Sequence, residues 1–285
     1  MRAVTGYYTA KGQHWVGDGF PVRTLLSHHQ FGAAASPFLM LDHAGPHVFE
    51  PKLGDPRGVG SHPHKGFETV TIVYEGEVEH RDSTGAGGLI GPGDVQWMTA
   101  GSGIIHEEFH SPEFTRKGGR FEMAQLWVNL PAADKSAPAG YQNITSDMIP
   151  MVKVGKMQAR IIAGDFDGTK GPAKTFTPIN VWDVKGEAGT TLTLPMPSSH
   201  QGAVVVLRGR VTMADFAFVA GDTLTLGMGD GRVEMVVEEE ATLLILSGEP
   251  IAEPIVAYGP FVMNTEDEIR EAIVDFNAGR FGRIA

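Results

Sequence analysis

Two short motifs carry side chains that bind transition metals: His62-Pro63-His64 and, later in the chain, His106-Glu107-Glu108. Successive side chains of a β-strand point to opposite faces, so residues i and i+2 share one face. On strands, His62 and His64 would therefore point the same way, as would His106 and Glu108. If the two strands face each other inside a barrel, three imidazoles and one carboxylate converge. This donor set suits a divalent transition metal with open coordination positions, close to the two-histidine, one-carboxylate sites of non-haem iron oxygenases.

The composition is that of an ordinary globular protein whose metal donors must be nitrogen and oxygen. The 285 residues are 42% hydrophobic and 20% charged, and none is cysteine. The lack of cysteine excludes disulfides, zinc ribbons and thiolate nucleophiles. The formal net charge of −11 opposes binding to phosphate backbones, so we expect no nucleic-acid partner.

The sequence shows neither a membrane-spanning run nor a secretion signal. No stretch of about 18 apolar residues occurs. The first residues lack the apolar segment of a signal peptide. We therefore expect a cytoplasmic protein without a membrane partner.

Residues 66–80 alternate in the manner of a strand and are rich in β-branched side chains. Continuing the alternation from the first motif places Glu68 on the same face as His62 and His64, where it is predicted to support the imidazoles without binding the metal. His80 is interpreted as the solvated end of a strand. Glu107 is expected to face outward as a simple charge.

A weak internal repeat predicts two similar β-barrels in tandem. Tyr74-Glu75-Gly76-Glu77-Val78 resembles Leu207-Arg208-Gly209-Arg210-Val211, and Gly91-Pro92-Gly93-Asp94-Val95 resembles Val219-Ala220-Gly221-Asp222-Thr223. The offsets place Pro195 where the first copy has His62, and Glu234 where it has His106. The predicted domains are a metal-binding barrel over 1–135 and a barrel without a metal site over 136–285. The polar, proline-containing stretch 131–150 is the candidate linker.

The C-terminal segment has a helical pattern. Thr265 and Glu268 fit a capping box, and apolar residues follow at helical spacing before Gly279. The pattern predicts a helix over about 265–278 that packs across a barrel.

The stretch HPHKGFETVTIVYEGEVEHRDSTGAGGLIGPGDVQWMTAGSGIIHEE resembles the signature of the pirin family of the cupin superfamily. The segments QLWVNLPAADK and GPFVMNTEDEIREAI resemble further parts of pirins. The resemblance implies an all-β bicupin fold: two tandem antiparallel β-sandwich or jelly-roll barrels with a C-terminal helix and a metal in the first barrel only. The family's ligand positions are occupied here by His62, His64, His106 and Glu108.

The resemblance also implies a function. Some pirins are similar to quercetin 2,3-dioxygenases, which open the flavonol ring with O2 and release carbon monoxide. We therefore expect a metal-dependent dioxygenase that acts on flavonol-like aromatic substrates, with Glu108 as the catalytic base. Fe(II) is the expected metal, although Mn, Co, Ni, Cu and Zn also suit these ligands.

Two alternatives use the same ligands. One is a non-enzymatic regulatory protein that senses metal or redox state and binds a protein partner. The other is a cupin that acts on a different small molecule, because a fold does not fix a substrate. A substrate-sized apolar cavity at the metal would favour an enzyme.

Overall fold

The computed structural model describes residues 2–284, and β-strands dominate them. The predicted all-β architecture with a C-terminal helix is confirmed. Short 3₁₀ turns occur at Gly32–Ala35, Ala132–Asp134 and Ser146–Met148.

The first half of the chain forms strands with brief helices between them. They are β1 (Val4–Thr9), β2 (His14–Val16), β3 (Phe20–Ser27), α1 (His28–Phe31), β4 (Phe38–Phe49), β5 (Gly58–His64), β6 (Phe67–Glu75), β7 (Val78–Asp82), β8 (Gly87–Ile90), β9 (Val95–Thr99), β10 (Ile104–His110), α2 (Pro112–Lys117), β11 (Gly119–Asn129) and β12 (Gly140–Ile144).

The second half continues as strands and ends in the longest helix. These elements are β13 (Met151–Val154), β14 (Met157–Ala163), β15 (Asp165–Phe166), β16 (Thr169–Lys170), β17 (Ile179–Gly186), β18 (Thr191–Leu194), β19 (Gln201–Met213), β20 (Phe216–Val219), β21 (Asp222–Leu226), β22 (Val233–Gly248), β23 (Val256–Tyr258), β24 (Phe261–Met263) and α3 (Glu266–Asn277).

Two compact units are present, and each is discontinuous in sequence. The histidine unit contains residues 12–23, 41–146 and 251–284, and the apolar unit contains residues 2–11, 24–40 and 147–250. The sequence instead predicts two consecutive halves divided at 135/136. The difference has a physical cause, because strand pairing recruits distant segments. The N-terminal strand β1, for example, pairs with β21 of the apolar unit.

The histidine unit contains a four-stranded sheet in the order β5-β10-β7-β8. Strands β6, β9, β11 and β12 lie in a second, seven-stranded sheet, whose order is β12-β9-β6-β11-β4-β3-β2. The chain passes from the first sheet to the second at Lys65-Gly66. Gly66 has φ +87°, and a Cβ there would collide with the carbonyl oxygen of Val262. The sharp turn therefore requires glycine.

Residues 131–150, the candidate linker, contain ordered structure of the histidine unit. Strand β12 lies within this stretch and pairs with β9 from Gly140↔Thr99 to Ile144↔Val95. Lys135 is 2% exposed. Its Nζ donates hydrogen bonds to the Gly66 and Val262 carbonyl oxygens and to Asn129 Oδ1. The polar residues of this stretch thus include those of an edge strand and the buried, hydrogen-bonded Lys135.

The predicted C-terminal helix is confirmed as α3. Both hydrogen bonds of the capping box between Thr265 and Glu268 are present. Ile269 and Ala272 are buried in a small cluster with Phe261, Met263 and Phe281, and Ile105 of β10 packs against it. The helix therefore supports the outer side of the strand that carries the second motif. No helix among residues 2–284 has the length and apolar character needed to span a bilayer.

Candidate metal centre

The two motifs lie on neighbouring antiparallel strands. His62 and His64 end β5, and His106 and Glu108 lie on β10. In the ladder, His106 pairs with His62 and Ile104 pairs with His64. The motif side chains therefore meet across adjacent strands of one sheet, whereas the sequence argument placed them on strands that face each other.

Three imidazoles come together. The ring of His106 lies 4.3 Å from that of His62 and 4.9 Å from that of His64, measured between centroids. One nitrogen from each of the three rings can be chosen so that all lie within 4.8 Å of one another. His64 and His106 are buried, whereas His62 is partly exposed. The cluster is therefore reached from solvent on the His62 side.

Their hydrogen bonds leave ring nitrogens free for a metal. His62 Nδ1 lies 2.8 Å from the carbonyl oxygen of Gly60, which can only accept, so the Nδ1 atom carries the hydrogen and Nε2 keeps its lone pair. Within the described residues, His106 Nε2 and His64 Nδ1 are buried without a hydrogen-bond partner. Orphaned buried nitrogens are costly, and coordination to a metal would satisfy them. The donor set thus fits a divalent transition metal.

Burial keeps these rings in the metal-binding form. It lowers the pKa of His64 to about 3, and nearby His62 adds to the effect. The pKa of His106 also lies well below its usual value, first because of burial and then because other imidazoles surround it. Both rings are therefore neutral near pH 7, and metals bind neutral imidazole.

Glu108 lies beside His106 but belongs to a second group. Its carboxylate forms a close set with His80 and His106, and this set shares His106 with the three-histidine set. Gln96 Nε2 donates to Oε1 at 2.6 Å, and Gln125 Nε2 donates to Oε2 at 3.0 Å. Thr71 Oγ1 donates to Oε1 at 3.3 Å. These donors from the seven-stranded sheet hold the carboxylate at the edge of the imidazole cluster.

His80 is a site residue that sequence reasoning missed. The interpretation as a solvated strand end is wrong, because His80 is fully buried. Its Nε2 lies 3.0 Å from Asp82 Oδ2, and its Nδ1 lies 3.3 Å from His106 Nδ1. The sequence held one usable signal: His80-Arg81-Asp82 is a third i, i+2 pair of metal-type side chains.

Glu68 is not brought to the cluster. The expectation that it shares a face with His62 and His64 fails because β5 ends at His64 and the turn at Gly66 starts a strand in the other sheet. Glu68 lies three residues before Thr71 on β6, so it points to the opposite face from the side chain that contacts Glu108. Its carboxylate accepts a 2.8 Å hydrogen bond from Thr99 Oγ1. Burial raises the pKa of Glu68 to about 7.

Aromatic rings enclose the buried side of the cluster. Trp127 lies 5.3 Å from the ring of His64, and Tyr141 stacks on His80 at 4.9 Å with an interplanar angle of 13°. Burial raises the pKa of Tyr141 to about 12, so its hydroxyl is neutral. Tyr141 lies in the stretch interpreted as a linker, which is why its role could not be found from composition.

The apolar unit repeats the strand ladder without the polar side chains. Its pairs Leu192↔Met235, Leu194↔Val233 and Val211↔Val237 match His62↔His106, His64↔Ile104 and His80↔Glu108. All six residues of the apolar pairs belong to one buried hydrophobic cluster. Leu192 therefore occupies the position of His62, three residues before Pro195, which the sequence offset indicated. Met235 occupies the position of His106, one residue after the indicated Glu234.

Comparisons with known proteins agree with this architecture. The family model "Pirin" matches residues 19–128, and "Pirin C-terminal cupin domain" matches residues 181–282. The chain is 53% identical to "Putative quercetin 2,3-dioxygenase" of Pseudomonas aeruginosa, over 99% of both chains. It is 36% identical to human "Pirin", over 86% of this chain and 83% of the relative. A crystal structure titled quercetin 2,3-dioxygenase from Acinetobacter baumannii is 50% identical, with a TM-score of 0.96 over 100% of both chains. The two cupin-type units, the matched family models and these relatives show that the chain belongs to the pirin family.

Proposed function

We propose that this protein is a metal-dependent dioxygenase that cleaves flavonols such as quercetin with O2. The observation that carries the proposal is the cluster of His62, His64 and His106, with buried ring nitrogens left unpaired in a neutral state. The names of the relatives above support the same reaction class. Fe(II) is the proposed metal, because histidines with one carboxylate suit non-haem iron.

The proposed ligands are the three imidazoles, and Glu108 supplies the carboxylate. A divalent ion held there would act as a Lewis acid and favour the deprotonated form of a substrate hydroxyl. His62 is the partly exposed ligand, so a substrate would approach beside its ring.

Glu108 is the proposed general base. The donors Gln96, Gln125 and Thr71 fix the position of both carboxylate oxygens. A fixed carboxylate next to His106 is suitably placed to take the proton of a flavonol 3-hydroxyl. Because the base and the imidazoles lie on rigid strands, their geometry is set before a substrate arrives.

The second candidate is a metal-binding regulatory protein without turnover. It requires no substrate-sized cavity. Two clefts in the histidine unit, of about 450 and 250 Å³, are lined by residues other than His62, His64 and His106. This observation favours retaining the regulatory function as the alternative to be tested.

The decisive experiment loads metal-stripped protein with Fe(II) under anaerobic conditions and then adds quercetin and air. Loss of quercetin absorbance and release of carbon monoxide are followed in the wild type, His62→Ala and Glu107→Gln. Glu107 is the matched control, because it lies between the two ligands of β10 and its carboxylate is 3.5 Å from Arg81 Nε.

We expect turnover in the wild type and Glu107→Gln and its loss in His62→Ala. Glu108→Gln is expected to retain metal but to lose cleavage. Tight metal binding without turnover in the wild type would overturn the dioxygenase proposal in favour of the regulatory one. Full activity in Glu108→Gln would overturn the base assignment.

A further inference from the structure

We infer that Asp82, acting through His80, fixes the tautomer of His106 and leaves the Nε2 of His106 as its metal-binding nitrogen. This inference rests on the proposed metal site and assigns positioning roles to two residues outside the proposed ligand set. The three side chains lie in one buried row, with exposures of 2% for Asp82 and 0% for both histidines.

The hydrogen bonds of Asp82 determine which nitrogen of His80 carries hydrogen. Its Oδ1 accepts hydrogen bonds from the backbone nitrogen of Thr84 at 2.8 Å and from Thr84 Oγ1 at 2.6 Å. Its Oδ2 faces His80 Nε2 at 3.0 Å. A carboxylate held by two donors at one oxygen acts as an acceptor at the other, so His80 Nε2 carries the hydrogen.

The hydrogen on Nε2 of His80 determines the tautomer of the neighbouring His106 ring. A neutral imidazole with hydrogen on Nε2 has its lone pair on Nδ1. His80 Nδ1 and His106 Nδ1 are 3.3 Å apart, and two nitrogens can hydrogen-bond only if one donates and the other accepts. When His80 is neutral, His106 Nδ1 therefore carries the hydrogen, and the lone pair of His106 lies on Nε2.

The opposite pair of tautomers, with hydrogen on Nδ1 of His80 and on Nε2 of His106, is disfavoured at both ends of the row. It would direct a lone pair of His80 towards the lone pairs of the Asp82 carboxylate. It would also place an N–H at His106 Nε2, which has no hydrogen-bond partner within the described residues. A buried donor without an acceptor is unfavourable. The stacked ring of Tyr141 restrains His80 against rotation that could relieve the conflict.

The consequence is a metal site that is prepared before the ion arrives. Metal-bound histidines generally donate their other N–H to an acceptor, which sets the tautomer and strengthens the ligand. Here the acceptor is a second histidine, and the negative charge of Asp82 lies one ring further from the metal. Through the Asp82–His80 and His80–His106 contacts, the Asp82 carboxylate thereby sets the tautomer of the proposed ligand His106.

The first test needs no metal and no variant. Long-range ¹H–¹⁵N correlation spectra of metal-free, ¹⁵N-histidine-labelled protein report which nitrogen of each ring carries hydrogen. We expect hydrogen on Nδ1 of His106 and on Nε2 of His80. Hydrogen on Nε2 of His106 would overturn the inference whatever the protein catalyses.

The second test uses Asp82→Asn to invert the tautomers of His80 and His106. The amide keeps an oxygen for the Thr84 backbone nitrogen and presents an NH2 group to His80, so each tautomer should invert. We expect His106 to carry hydrogen on Nε2 and the affinity for Fe(II), measured by chelator competition, to fall roughly 10–100-fold. The matched control is Thr84→Val, which disturbs the same turn but retains the Asp82–His80 contact, and it should keep the wild-type affinity.

A double substitution separates positioning from a general structural effect. In a His80→Phe background, Asp82→Asn should not weaken metal binding further, because the connection to His106 is already broken. An unchanged tautomer and unchanged affinity in Asp82→Asn would overturn the inference while the metal site stands. Failure of the wild type to bind metal would instead count against the proposed function, and the spectra of the metal-free protein would still decide the tautomer.

Discussion

Gln96 Nε2 lies 2.6 Å from Glu108 Oε1, the shortest of the hydrogen bonds that join the seven-stranded sheet to the Glu108 carboxylate. Gln96 comes from β9, and Glu108 comes from β10 in the other sheet. The contact therefore joins the two sheets at the proposed metal site.

Replacing Gln96 with leucine is expected to destabilise the metal-free protein by about 2 kcal/mol, the typical contribution of a hydrogen bond to a charged group. Urea unfolding would measure the change in the free energy of unfolding. In a Glu108→Gln background the same substitution should cost clearly less, because the partner is then neutral. Equal losses in both backgrounds would mean that the Gln96–Glu108 contact contributes little.

Metal removal should lower the melting temperature. A ligand present at about 100 times its Kd stabilises the folded state by about 2.7 kcal/mol, which for a chain of this size corresponds to a shift of about 4–5 °C. We expect calorimetry to show this loss when a chelator is added to loaded wild type. His62→Ala should show no chelator-dependent shift, and a shift of wild-type size in this variant would contradict the ligand assignment.

Lys135→Met should destabilise the histidine unit. The substitution removes three hydrogen bonds that the ammonium donates to buried acceptors, namely the Gly66 and Val262 carbonyl oxygens and Asn129 Oδ1. We expect a loss of about 3 kcal/mol in the free energy of unfolding. Burial lowers the pKa of Lys135 to about 8, so denaturant unfolding should be measured at pH 6–7, where the side chain is charged. Exposed Lys153 provides the control, because its replacement by methionine should change stability by less than about 0.5 kcal/mol.

Glu68 makes stability depend on pH. Burial raises its pKa from 4.5 to about 7 in the folded protein. Between these values the folded state holds a proton that the unfolded state has released, so stability should fall as pH rises through this window. The slope is about 1.4 kcal/mol per pH unit for one group.

Glu68→Gln should remove that contribution. The stability of the variant relative to wild type is expected to improve as pH increases from 4.5 to 7 and to remain constant above pH 8. Denaturant unfolding at several pH values would measure it. A difference that does not change with pH would show that Glu68 is ionised throughout.

The local pattern of the sequence determined the two motif strands and the final helix. Alternation with period two places His62 with His64 and His106 with Glu108, because side-chain direction on a strand depends only on the residue count. The capping box at Thr265 is likewise local, since its hydrogen bonds join residues three apart. The absence of cysteine restricted the donors to nitrogen and oxygen before any fold was considered.

Tertiary structure decided which strands share a sheet and which side chains complete the site. Glu68 was misplaced because alternation does not reveal that the chain leaves one sheet at Gly66. His80 and Asp82 come from β7, which flanks β10 on the side away from β5, and their approach to His106 depends on strand order. Tyr141 lies on an edge strand that, among residues 2–284, pairs with β9 alone. Strand order and sheet membership arise from pairing between distant segments, and a local residue pattern carries no information about them.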